Sequence, residues 1–273
     1  MKIKLNQLAV LTVITSSLSL PALAGHYVPG IEGVKASSVP PPGVYYKGYY
    51  VNYEADKFDG GGPDKVTVNA LAHRLIWVTP QKFLGGDLTL EAILPMVNEK
   101  VKAGGATVKS ESGLGDLYLG SVIGWHGEQW DAVGGIGYWA ETGDKDKVGQ
   151  GHDGIMLTFG GTYKLNQAGD ITLSGLGRYE INGDKSGGVT VEDNLTLEWG
   201  LGKAYGTLDV GVIGYFTREM SGSNKEERNA LGMSVGKFWP NIMLGADVAA
   251  YKELSSSNGP EGRVIRASLT KVF

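Results

Sequence analysis

The sequence contains no cysteine, so it can form no disulfide and offers no thiol nucleophile. Beyond residue 24 it has no apolar run of the ~20 residues that a membrane helix needs. Histidine is scarce: His26, His73, His126 and His152. His73 has no serine at close strand spacing, as a barrel-type lipid hydrolase requires. His126 sits in a turn beside Glu128, and His152-Asp153 beside a glycine-rich loop reads as solvated. No spacing gathers three or four metal ligands, and no GxxxxGK[ST] loop follows a strand. We therefore expect no catalytic residues, no metal and no cofactor. A basic excess is missing too: 25 Lys and Arg stand against 29 Asp and Glu, which argues against a nucleic-acid partner.

What is present is glycine, 43 of 273 residues. A disordered linker would spread it among polar residues. Here it is interleaved with Trp, Tyr, Leu and Val, which suggests tightly curved, closely packed sheet. The first 24 residues read as a cleaved export signal. They have a basic start (Lys2, Lys4), an apolar stretch broken at Pro21, and the small-residue site Ala22-Leu23-Ala24. Loss of Lys2 and Lys4 leaves the mature chain more acidic. Residues 25–42, ending in Pro40-Pro41-Pro42, cannot form a helix or an inner strand and favour an extended path.

From residue 43 the chain reads as about twelve strands: 43–56, 65–79, 84–99, 113–126, 129–142, 153–165, 170–182, 190–203, 206–219, 227–238, 241–253 and 262–273. Several alternate cleanly. Leu195, Leu197, Trp199 and Leu201 share one face, while Asn194, Thr196 and Glu198 share the other. This period of two marks half-buried strands. The segment from Val66 to Thr79 does not alternate convincingly, and its register is the least secure.

The connections alternate in length. Those at 80–83, 126–129, 166–169, 204–205 and 239–240 are short. Those at 57–64, 101–112, 143–152, 183–189, 220–226 and 254–261 are longer and rich in Gly, Ser, Lys and Asp. An even strand count with short turns at one end and long polar loops at the other describes an antiparallel, up-and-down transmembrane β-barrel of the outer-membrane type. Closure has a physical cause. Hydrocarbon offers no water to free edge N–H and C=O groups, so only a closed sheet survives there. Trp77, Trp125, Trp130, Trp199 and Trp239 lie within or next to the short-turn ends, where an interfacial girdle belongs. Phe273, behind Ile265, Ala267 and Leu269 on one face, reads as a signal for the barrel-insertion machinery. Lys271, on the same face, departs from the aromatic usual there.

Alternation places Glu91, Asp116, Arg178, Glu180, Glu198, Asp209, Asp247 and Arg266 toward the lumen. They can act as a selectivity lining or as a bracing salt-bridge network. Residues 25–42 can enter the lumen and narrow it, or remain a periplasmic tail.

Certain motifs are familiar. Tyr27-Val28-Pro29-Gly30 and Pro40-Pro41-Pro42-Gly43-Val44-Tyr45-Tyr46 resemble the mature start of the phenol meta-pathway degradation (MetA-type) family of outer-membrane transporters. Gly113-Leu114-Gly115-Asp116-Leu117 is similar to a strand start of that family. Trp199-Gly200-Leu201-Gly202-Lys203 and Val210-Gly211-Val212-Ile213-Gly214-Tyr215 resemble its later strand pair. The resemblance covers nearly all of the mature chain. It implies an outer-membrane channel associated with passive uptake of small hydrophobic or aromatic compounds, and it carries no catalytic residues across. Expected partners are outer-membrane lipids and lipopolysaccharide, the insertion machinery and the solutes themselves. The alternatives are a structural barrel with a sealed lumen, an outer-membrane lipid hydrolase, or a soluble β-barrel that binds a lipophilic ligand.

Overall fold

The computed structural model describes residues 25–185 and 188–273; the expected signal segment, 1–24, lies outside them. Thirteen strands form one antiparallel sheet: β1 (Gly43–Phe58), β2 (Lys65–Phe83), β3 (Gly86–Ala103), β4 (Ala106–Leu114), β5 (Leu117–His126), β6 (Trp130–Ala140), β7 (Gly154–Lys164), β8 (Ile171–Asn182), β9 (Asn194–Tyr205), β10 (Leu208–Glu219), β11 (Glu227–Trp239), β12 (Leu244–Ser257) and β13 (Pro260–Val272). Apart from β4 and β5, which both pair with β3, each pairs with its chain neighbours, and β1 pairs with β13 from Tyr45↔Val272 to Phe58↔Pro260, which closes the ring.

The ring has twelve wall positions, because β4 and β5 share one. β5 pairs with the first half of β3 (Asp87–Ile93), and β4 pairs with its second half (Met96–Ala103). The break falls opposite Pro95, whose carbonyl accepts a hydrogen bond from Gly115 N at 2.9 Å. Proline has no N–H to return, so the ladder loses a donor at that point. A Cβ on Gly115 would lie 2.8 Å from Pro95 Cγ, so only glycine fits.

Two expected loops are instead strand. The span 101–112 forms the end of β3, a turn at Gly104-Gly105, and most of β4. The span 254–261 is mostly the ends of β12 and β13. Both hairpins carry polar or charged residues on both faces, so their composition resembles that of loops. At the other end β2 runs through Pro80 to Phe83, and the turn is Leu84-Gly85, both with positive φ. That pair matches the twist of a tight hairpin.

The faces are inverted relative to a soluble sheet. Leu71, Leu75, Leu119, Ile136, Ile155, Phe159, Leu197, Leu201, Val235, Ile265 and Leu269 are exposed on the outer wall. Thr158, Arg178, Glu180, Thr196, Glu198, Glu253 and Arg266 are buried inside. The outer wall therefore faces lipid, and the protein resides in the bacterial outer membrane.

Candidate functional site

The lumen is occupied by residues 25–42. The segment forms no strand; side chains and scattered backbone groups hold it to the wall. Beginning at the short-turn end, Ser38 Oγ donates to Asp131 Oδ2 (2.7 Å), and Ser37 Oγ donates to the Gly175 carbonyl (2.7 Å). Lys35 pairs with Asp209 (2.8 Å). The Ile31 carbonyl accepts from Arg266, which also pairs with Asp247. Farther out, the Tyr27 hydroxyl donates to Glu198, and His26 Nδ1 lies 2.6 Å from Glu180 Oε1. The segment approaches the wall closely. Gly30 has φ +83° and leaves no more than 3.0 Å between an added Cβ and the Tyr251 ring.

At the waist a single carboxylate of the segment meets cations from three strands. Glu32 Oε1 accepts from Arg74 Nη1 of β2 (2.8 Å) and from Arg178 Nη2 of β8 (3.1 Å). Lys47 Nζ of β1 is 4.0 Å from Glu32 Oε2. The Glu32 backbone N–H donates to Glu198 Oε2 (3.1 Å). Arg74 is shared with Glu91 (Nε to Oε2, 2.8 Å) and with the Tyr49 hydroxyl (2.9 Å). Arg178 lies over the Tyr27 ring, 4.7 Å from its centroid. Burial alone would raise the Glu32 pKa. Arg74, then Lys47 and Arg178, outweigh burial and hold it well below the usual carboxylate range.

Two apolar hollows flank this knot. The inner one, about 850 Å³ at the short-turn end, is lined by Val39, Val122, Val133 and Leu176 beside Arg74, Lys47 and Arg178. The outer one is about 90 Å³ and lies between Val28 and Ile31 of the segment and Val51, Val68, Val97 and Val264 of the wall. Toward the long loops, Glu253 accepts from Tyr215 (2.8 Å), Tyr53 (3.1 Å) and Arg228 (3.2 Å).

All eight charged residues singled out by alternation point inward. Glu91, Arg178 and Glu198 meet at the Glu32 knot. Asp247 and Arg266 pair beside it, and Asp209 sits nearer the short turns with Lys35. Glu180 and Asp116 lie toward the long loops. Asp116 accepts from Gly143 N and Gln150 N (both 2.8 Å) and faces His26 at 3.6 Å. Of the tryptophans, Trp130 is exposed beside a short turn, and Trp125 Nε1 donates to the Leu84 carbonyl at another (3.0 Å). Trp77 is exposed but lies within β2 opposite Leu90, six residues short of the strand's end at Phe83. Trp239 adjoins the turn at Pro240, while Trp199 lies in mid-strand between Gly175 and Gly214. Phe273 N donates to the Val44 carbonyl at the closing seam (3.0 Å).

His152 overturns the solvated expectation. It is buried, with its ring in edge contact with His26 (4.5 Å), and this burial lowers its pKa. The partner ring belongs to the inner segment, whose position is not visible in the chain order. Sequence reasoning also missed Arg74, Lys47 and Glu32. Arg74 shares parity with Val66, Val68 and Ala72, so its strand offered no polar face to signal it. Among the described residues, no three His, Asp or Glu gather as metal ligands.

A family model described as "Putative MetA-pathway of phenol degradation" matches residues 42–268. The chain belongs to this family. The match thus begins at the end of the inner segment and covers the barrel as far as Ser268 in β13. No curated protein matches the sequence. Among solved structures, the COG4313 outer membrane channel from Pseudomonas putida F1 superposes with a TM-score of 0.77 at 15% identity, over 90% of this chain and 100% of that one. The translocator domain of the autotransporter NalP from Neisseria meningitidis gives 0.55 at 13% identity, over 86% and 90%. The β domain of the Bordetella autotransporter BrkA gives 0.53 at 15%, over 85% and 100%. These likenesses fix the fold as an outer-membrane β-barrel.

Proposed function

We propose that this family member is an outer-membrane channel for passive uptake of small hydrophobic or aromatic solutes, with residues 25–42 as a plug. One observation carries the reading. The lumen is filled by a segment that no backbone ladder anchors, with apolar hollows on both sides of its charged waist. A wall built to be sealed needs no separable filling. The hollows suit apolar solutes, whose burial is worth roughly 25 cal/mol per Å². The eight inward charges act as the lining that braces the plug and sets selectivity. The tryptophans near the short turns act as an interfacial anchor, and Phe273 acts in insertion.

Liposome swelling with phenols, aromatic acids, alkanols and sugars tests this proposal. Phenols and small alkanols should swell the liposomes faster than sugars of similar size. Deleting residues 26–42 should raise single-channel conductance severalfold. The knot at Glu32 also favours a second reading, a permanently sealed barrel. Absence of swelling by every solute, with unchanged conductance after the deletion, would establish that reading instead.

A further inference from the structure

The cations around Glu32 belong to the barrel, whereas the carboxylate belongs to the segment. β8 lies half-way round the ring of twelve from β1, so Arg178 faces Lys47 and Arg74 across the lumen. Three positive side chains from opposing walls thus converge on one carboxylate that the wall does not supply. The wall brings two carboxylates of its own, and neither fills that place. Glu91 is bonded to Arg74 on the wall, and Glu198 holds Tyr27 and the Glu32 N–H, both from the segment. Arg178, nine-tenths buried, also has a spare donor: its Nε is buried without a hydrogen-bond acceptor. The inner hollow begins at these cations and continues along Val122, Val133 and Leu176. A cationic cradle beside an apolar wall recognises an anion with a greasy body. Arginine in particular matches the geometry of a carboxylate.

We propose that the waist is a carboxylate-binding site of the barrel, occupied by the segment's own Glu32, and that small aromatic carboxylates compete with Glu32 for it. The inference rests on the reading of residues 25–42 as a plug. It adds a ligand class and a means of release, since a solute that takes the cradle removes the segment's ionic tie to three strands at once.

The test uses the mature protein in planar bilayers, with benzoate as probe and benzyl alcohol as its uncharged counterpart. In the Glu32→Gln variant the cradle loses its resident negative charge without loss of bulk, so a carboxylate displaces a neutral amide more easily than the native carboxylate. Millimolar benzoate should reduce the chloride current of this variant in a saturable manner, with a half-effect at least about tenfold lower in concentration than in the wild type. Benzyl alcohol should do nothing. Adding Arg178→Gln should abolish the benzoate effect while chloride still passes. A Glu32→Gln channel that conducts chloride with no saturable benzoate effect overturns the proposal, because a mere change of lumen charge treats both anions alike. Should that variant fail to insert, the 26–42 deletion, with and without Arg178→Gln, makes the same comparison. The deletion also separates the two ideas. Unchanged conductance on deletion sinks the plug and this site together. Raised conductance without benzoate block sinks the site alone.

Discussion

The wall and the segment inside it are held by different physics. The wall is joined by backbone ladders, which almost any side chain permits provided the lipid face stays apolar. The segment is joined by particular side chains, each to a particular partner: His26 to Glu180, Tyr27 to Glu198, Glu32 to Arg74 and Arg178, Lys35 to Asp209. The wall should therefore tolerate changes in kind but not in polarity, whereas the segment should tolerate neither at these four positions.

The sharpest way to break this contrast is a charge on the lipid face. Leu197→Arg places a cation in the outward band and should cost ~2–4 kcal/mol near the midplane, enough to impair insertion. Its neighbour Thr196→Arg points inward and should insert far better. Equal yields in a lipid-vesicle folding assay would refute the assignment of faces. Next in size is removal of residues 26–42. The barrel should still form and show heat-modifiable mobility on gels, because every ladder remains, with a lowered Tm from the lost internal contacts. A chain that no longer folds would make the segment part of the scaffold.

A smaller effect is expected from acid. Glu32 is held below its ordinary value of 4.5, so its contribution to seating the segment is complete above that value. The contribution is lost only as pH falls through the lower, folded value. Conductance should stay level from neutral pH to about 5 and rise only in stronger acid. A rise between neutrality and 5 would assign the seat to a histidine instead. Smallest of all is Lys57→Ala. It removes an exposed pair with Glu261 at the outer rim (2.9 Å) and should leave both Tm and conductance unchanged.

The wall was legible because lipid imposes a rule on alternate residues. Where the rule lapses, so does the reading. β2 has apolar residues on both faces, Leu71, Leu75 and Trp77 outside against Val66, Val68 and Ala72 inside, since an apolar hollow adjoins it. Its period-two signal therefore vanished and concealed Arg74. β4 and the adjoining ends of β12 and β13 carry polar residues on both faces, so their Lys-, Ser- and Gly-rich stretches passed for loops. The inner segment announced its extended form through its prolines but not its place. Its partners lie far along the chain, with Arg266 bonding the Ile31 carbonyl over a separation of 235 residues, and nothing local encodes such a meeting.

Closure of β1 onto β13 has a consequence for the order of events. The cradle around Glu32 draws on β1, β2 and β8, which face each other only after the ring is shut. An open sheet has no interior for the segment to occupy. The stretch that leads the described chain thus finds its seat last, and seating it certifies that assembly is complete.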